Sequence, residues 1–225
     1  MTSATLSEPA ARPRHDLSRF SKRRIPVQRR SRSTVENIKQ AAVALGAEEG
    51  FRNLTTDRIA ERAGVNIGSL YQYFPNRESI LLAVYEDASS RMVERMRQMT
   101  TGIYDAPLPK AAERAMDDLL GLYTEYRLIL LDLVAEVPEL GRAANPVSFM
   151  SLHRGTVRNF IQHRVPGATR QTVERMAFFI ERIAIGAIRD FLLDPPETLT
   201  RKAFVADLAW IVQAYIARPR GRTPR

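Results

Sequence analysis

Residues 54–68 read LTTDRIAERAGVNIG, and their types and spacing suit two short helices joined by a tight turn, a helix-turn-helix. Ala60 is small where the helices must cross closely, Gly64 permits the positive φ of the turn, and Ile59, Val65 and Leu70 fill the core beneath. The chemistry open to such a unit is hydrogen bonding and charge on one exposed helix. Catalytic equipment is scarce. The chain has no cysteine, which excludes disulfides, thiolate metal sites and cysteine nucleophiles, and its histidines are His15, His153 and His163. His153 and His163 lie about 280° apart round a helix, so they form no ligand pair. No G-x-S-x-G, H-E-x-x-H, Walker A or G-x-G-x-x-G run occurs, and the reading includes no enzyme, no metal and no cofactor.

Charge points to the class of partner. The formal net charge is +9 over 225 residues, which favours a polyanion, but its distribution is uneven. Residues 1–32 hold nine Lys/Arg against Glu8 and Asp16, and Arg218, Arg220, Arg222 and Arg225 end the chain. Residues 33–217, with 21 basic and 23 acidic side chains, are not basic. An Arg-rich, Pro-punctuated terminus serves either as a nucleic-acid arm or as a solvated tail. No run reaches the roughly 18 apolar residues of a membrane span, and no secretory h-region follows the N-terminus. The expectation is a cytoplasmic protein with no membrane partner.

The elements that position the motif follow from the apolar period. Ser33-Thr34-Val35-Glu36 reads as a capping box, and Val35, Ile38, Ala41, Ala42 and Leu45 share one face of a helix over about 33–48. Thr55 or Thr56 caps a second helix that Gly64 ends, Asn66 caps a third through Tyr73, and Pro75-Asn76 opens a fourth over 77–99. Further helices are expected at 110–136, with a possible break near Tyr126, and at 146–164, 169–193 and 198–217. No alternating strand pattern occurs. The fold class is all-α: a three-helix N-terminal helix-turn-helix domain followed by a larger C-terminal helical bundle. The domains expected are a disordered basic arm at 1–32, the helix-turn-helix domain at 33–85, the bundle at 86–217 and a basic tail at 218–225.

The wider string 55–81, TTDRIAERAGVNIGSLYQYFPNRESIL, strongly resembles the DNA-binding domain of the TetR family of transcriptional regulators, and the resemblance covers about residues 33–85. It implies that the third helix enters the major groove. There Asn66, Ile67, Gly68, Ser69 and Gln72 become candidates for base edges: Gln72 can pair with adenine, Ile67 can touch a thymine methyl, and Gly68 allows close approach. It further implies phosphate contacts at Thr56, Tyr71, Tyr73 and Arg77, where arginine stands in place of the family's more frequent lysine. Residues 33–85 carry a net charge of −1, poor for a lone DNA-binding module, which suggests that the arm supplies the missing electrostatics.

By the same resemblance the bundle is an effector-binding and dimerisation domain. Leu122, Tyr123, Tyr126, Met150, His153, Phe178, Phe179 and Arg182 are candidates to line its cavity, although aromatic residues at helical spacing also serve as plain core. The last two helices are apolar round much of their circumference, which fits a deep core or, better, a subunit interface. The functional expectation is a homodimeric repressor on a pseudo-palindromic double-stranded DNA operator, released by a small apolar or amphipathic effector. The alternative is a helical DNA-binding protein with no small-molecule effector.

Overall fold

Side-chain oxygens decide where five of the helices begin, and a glycine decides where one of them ends. The computed structural model describes residues 29–100, 102–140 and 149–218, without the side chains of 29, 30 and 150. The arm to residue 28, the tail from 219 and the Met150 side chain therefore lie outside the described residues. The described residues form helices α1 (Arg29–Glu49), α2 (Thr56–Ala63), α3 (Ile67–Tyr73), α4 (Arg77–Met99) and α5 (Leu108–Glu125). They continue with α6 (Val134–Glu136), α7 (Phe149–Arg164), α8 (Arg170–Leu193) and α9 (Arg201–Ala217). A short 3-10 turn occupies Phe51–Asn53 and a π-helix Leu128–Leu133. No strand occurs among these residues, and the fold is all-α.

The caps agree with the side chains available. Thr55 accepts from the Arg58 amide, Asn66 from Gly68, and Asn76 from Ser79, whose hydroxyl closes a reciprocal capping box on Asn76. Thr169 and Thr200 do the same for α8 and α9. Gly64 stops α2 in the left-handed region at φ 65°, which a side chain would resist. One boundary differs from expectation. The helix expected to start at Ser33 begins at Arg29, so Ser33–Glu36 lie within α1 and residues 29–32 belong to a helix, not to an arm. Arginine is a good helix former and no proline intervenes after Pro26, so α1 extends back by a turn.

Two buried clusters organise the packing. The smaller joins Ile38, Leu45, Phe51, Ile59, Leu70 and Phe74 to the first half of α4, up to Ala88. The larger begins on the same helix at Met92 and gathers α5, α7, α8 and α9. The smaller core is not built by residues 33–85 alone. Ile129, Leu133, Val137 and Leu140 enter it from the segment after α5, and the Glu136 carboxylate accepts the Arg52 amide at 2.6 Å, capping the 3-10 turn. Helices α1 to α3 carry too little apolar surface to close a core unaided, and α4 and this segment supply the rest. The expected break near Tyr126 is the point where α5 gives way to the π-helix.

Candidate DNA-binding face and effector cavity

The turn between α2 and α3 is held by backbone bonds that leave the outer face of α3 clear. The Val65 amide donates to the Ala60 carbonyl at 3.0 Å and that of Gly64 to Glu61 at 3.1 Å, ending α2 and turning the chain. Leu70 and Phe74 point inward and are fully buried. On the opposite side of α3, Gly68 and Gln72 are exposed, with Ser69 and Tyr73 half-buried at the flanks. Ile67 packs against the smaller core with part of its surface open. Asn66 is exposed, but its Oδ1 is already committed to the Gly68 amide at 2.8 Å, leaving its amide nitrogen for an outside acceptor.

The phosphate candidates divide. The Tyr71 and Thr56 hydroxyls lie 2.9 Å apart, so the two side chains orient each other where α2 begins beside α3, and the Tyr71 ring is 39% exposed. Arg77 is employed inside the domain: its guanidinium donates to the Arg52 carbonyl at 2.7 Å, more weakly to Leu54, and to Glu78 at 2.9 Å. It ties the loop before α2 to the start of α4. Other cations of this domain are also engaged internally. Arg58 pairs with Glu49 and Arg62 with Glu48, between α2 and α1, and Lys39 bridges Glu36 and Asp87. The pairing holds the Glu49 carboxyl below its ordinary range through the Arg58 hydrogen bond.

A cavity of about 100 Å³ lies in the bundle between α4, α5, α7 and α9. Met96 and Met99 at the end of α4, Met116 on α5 and Phe160 on α7 make much of its wall, with His153, Thr100, Thr156 and Asp118 as polar members. Of the residues expected here, Leu122 and His153 line it. Tyr123 is buried beside it against Phe149, ring centroids 6.3 Å apart, and burial pushes its phenol well above the ordinary value. Tyr126 lines a separate groove with Lys39 and Asp87, beside α1 and α4. Phe178, Phe179 and Arg182 do not reach the cavity. They stand on the outer face of α8, where the arginine lies over the Phe178 ring. Helical periodicity puts aromatic residues on a face without saying whether that face turns in or out.

That outer face is apolar. Phe178 (55% exposed), Phe179 and Ile183 on α8 continue into Trp210 (64% exposed) and Ile211 on α9, and Phe179 touches the Tyr215 ring. A patch of this composition marks an interaction surface. Among the described residues no helix is long and apolar enough to cross a membrane, and no group of three or more His, Asp or Glu could hold a metal. Sequence reasoning missed the Glu136–Arg52 contact and the burial of Ile129 and Leu133 in the smaller core; the run LILLDLV is the signal that was available.

Residues 38–84 match the family model for bacterial regulatory proteins, tetR family. The chain is 38% identical over 61 residues to the fatty acid metabolism regulator protein of Bacillus subtilis, a match covering 27% of this chain and 31% of that one. The matched segment thus spans about a third of that relative. Among solved structures, a protein of Mesorhizobium loti assigned to the TetR family of transcriptional regulators superposes with a TM-score of 0.66 at 18% identity, over 84% of this chain and 98% of that one. FadR of Bacillus subtilis in complex with stearoyl-CoA gives 0.55 at 18% identity, over 81% and 97%. The two structures share the fold over about four-fifths of this chain.

Proposed function

Because the chain belongs to the tetR family of bacterial regulatory proteins, a family of transcriptional regulators, we propose that it is a cytoplasmic, homodimeric repressor that binds a pseudo-palindromic operator and is released by a small apolar or amphipathic effector. The observation that carries this is α4. One uninterrupted helix of 23 residues begins at Arg77, beside the helix-turn-helix, and ends with Met96 and Met99 in the cavity wall. Its length is about 34 Å, so a tilt of roughly 5° about the cavity end moves the other end by about 3 Å. Two recognition helices must match major grooves about 34–36 Å apart, and a shift of that size in each subunit spoils the match. A coupling of about 1–3 kcal/mol weakens operator binding roughly 5- to 150-fold.

Base readout falls to Ile67, Gly68, Ser69, Gln72 and the Asn66 amide; Thr56, Tyr71 and Tyr73 lie beside them for phosphates, and Arg77 positions the loop and meets a phosphate only if it exchanges one of its carbonyl partners. The two apolar faces of α8 and α9 supply a self-complementary dimer surface. FadR, named above in complex with stearoyl-CoA, a molecule with an apolar chain and a polar head, supports an amphipathic effector. The small volume of the cavity favours a second reading, a dimeric DNA-binding protein without an effector, because ligand sites usually enclose about 300–1,000 Å³.

Selection of bound fragments from genomic DNA tests the first part, with two-fold symmetric half-sites one helical turn apart expected; fragments without any symmetric consensus would refute it. Thermal unfolding against a library of lipophilic compounds separates the two readings, since an effector raises the melting temperature by linkage and loosens the operator, while an inert bundle responds to none.

A further inference from the structure

Resting on the reading of the cavity as an effector site, we infer that His153 is its principal polar anchor and that the ligand is an uncharged, compact molecule bearing one hydroxyl, of the phenol or cyclic-alcohol class, not a carboxylate or a phosphate ester. His153 is 7% exposed, lines the cavity, and stacks on Phe149 with centroids 5.9 Å apart. Its Nδ1 is buried with no hydrogen-bond partner in the protein. An unpaired buried nitrogen costs free energy that a ligand hydroxyl recovers by donating to it, which turns the vacancy into selectivity. Thr156, one turn further along α7, also lines the cavity and can accept or donate beside it.

Charge decides against an anion. No lysine or arginine lines the cavity, and the two arginines beside it are committed elsewhere: Arg164, over the Phe160 ring, donates to the Ile103 and Ala106 carbonyls, and Arg154 holds Glu181 through two bonds of 3.1 and 3.2 Å. The groups facing His153 are thus Glu181 from α8, Arg154 on its own helix and, across the cavity, Asp118 from α5. Burial favours the neutral imidazole, lowering its pKa, with Glu181 opposing the shift. An anionic head would lose its hydration with no uncommitted cation to replace it, beside two carboxylates. Size sets the rest. About 100 Å³ is two-thirds of the roughly 150 Å³ cavity that takes up benzene, and the walls include Met96, Met99 and Met116, whose flexible thioethers re-pack readily. One ring with one hydroxyl fills that space once the thioethers move aside.

The test uses three single-ring probes on the full-length protein: phenol, its isostere toluene, and benzoate, a slightly larger anion. Calorimetry or ligand-observed NMR should rank phenol about 3- to 10-fold tighter than toluene, the range of one net hydrogen bond, with benzoate weakest. His153→Leu should abolish the preference for phenol while retaining toluene. In the unmodified protein, the ¹⁵N resonance of His153 Nδ1 should shift with phenol and not with toluene, a reading that needs no variant to fold. Toluene binding as tightly as phenol, benzoate binding best, or no probe binding at all overturns the assignment. Operator release is measured separately. Phenol that binds through His153 and leaves DNA affinity unchanged sinks the effector reading alone, whereas a carboxylate that releases the operator sinks the His153 anchor alone.

Discussion

Replacing Arg154 by Met should destabilise the bundle out of proportion to the exposure of the arginine. Glu181 is 3% exposed, and its two carboxylate oxygens accept from the Arg154 guanidinium at 3.1 and 3.2 Å, while the Arg154 side chain is 45% exposed. The desolvation cost of the pair therefore falls on the glutamate, and the arginine is what makes its burial tolerable. Removing one partner of a fully buried pair costs about 3–5 kcal/mol. Here the arginine end opens to water, which enters once the guanidinium is gone, so the expected loss is about 2–3 kcal/mol. In a chain of this size each kcal/mol moves the melting temperature by about 2–4 °C, which gives a fall of roughly 4–12 °C. The double variant Arg154→Met/Glu181→Leu removes the stranded carboxylate and should return to within about 1 kcal/mol of the original protein. Thermal and urea denaturation at one fixed protein concentration measures all of this, the concentration being held because a dimer's stability depends on it. An Arg154→Met protein within about 0.5 kcal/mol of the original, or a double variant no better than the single, would refute the reasoning.

Four further outcomes are expected. Gly46→Ala should cost about 1–2 kcal/mol despite the better helix propensity of alanine, because a Cβ there would stand 2.2 Å from the ring of Phe51, itself fully buried; in a Phe51→Leu background the same change should be neutral or stabilising by urea denaturation. Gln72→Ala should relax one position of a selected DNA consensus, whereas Tyr73→Phe should weaken all sequences alike, as fluorescence anisotropy against a panel of sites would show. Glutamates at Ile183 and Ile211, both exposed in the single chain, should produce folded monomers in sedimentation. Burial lowers the His153 pKa from its ordinary 6.5, so below that value the unfolded chain binds more protons than the folded one; this share of stability is present above it and lost as pH falls. His153→Gln should flatten the stability–pH slope below about pH 6.5 by up to about 1.4 kcal/mol per unit.

The local grammar of the helix-turn-helix was written in the sequence, because each of its signals acts within a few residues. Thr55, Asn66 and Asn76 cap the helices they precede and Gly64 adopts the left-handed turn, since a free amide two or three positions away or a steric limit on one φ needs no distant partner. The burial of Leu70 and Phe74 opposite an open Gly68 and Gln72 follows from helical period alone. Direction and partnership were decided only by the tertiary structure. Phe178 and Phe179 have the same periodicity whether they face a cavity or a second subunit, and only the packing of α8 against α9 turns them outward. Arg77 offers the same charge to a phosphate or to the Arg52 carbonyl, and a contact spanning 25 residues depends on where the folded loop returns. Glu136 reaches the Arg52 amide across 84 residues, and Ile129 and Leu133 complete a core begun almost a hundred residues earlier. Such contacts arise from chain closure over long loops, where the apolar pattern says that a residue must be buried and leaves open against what.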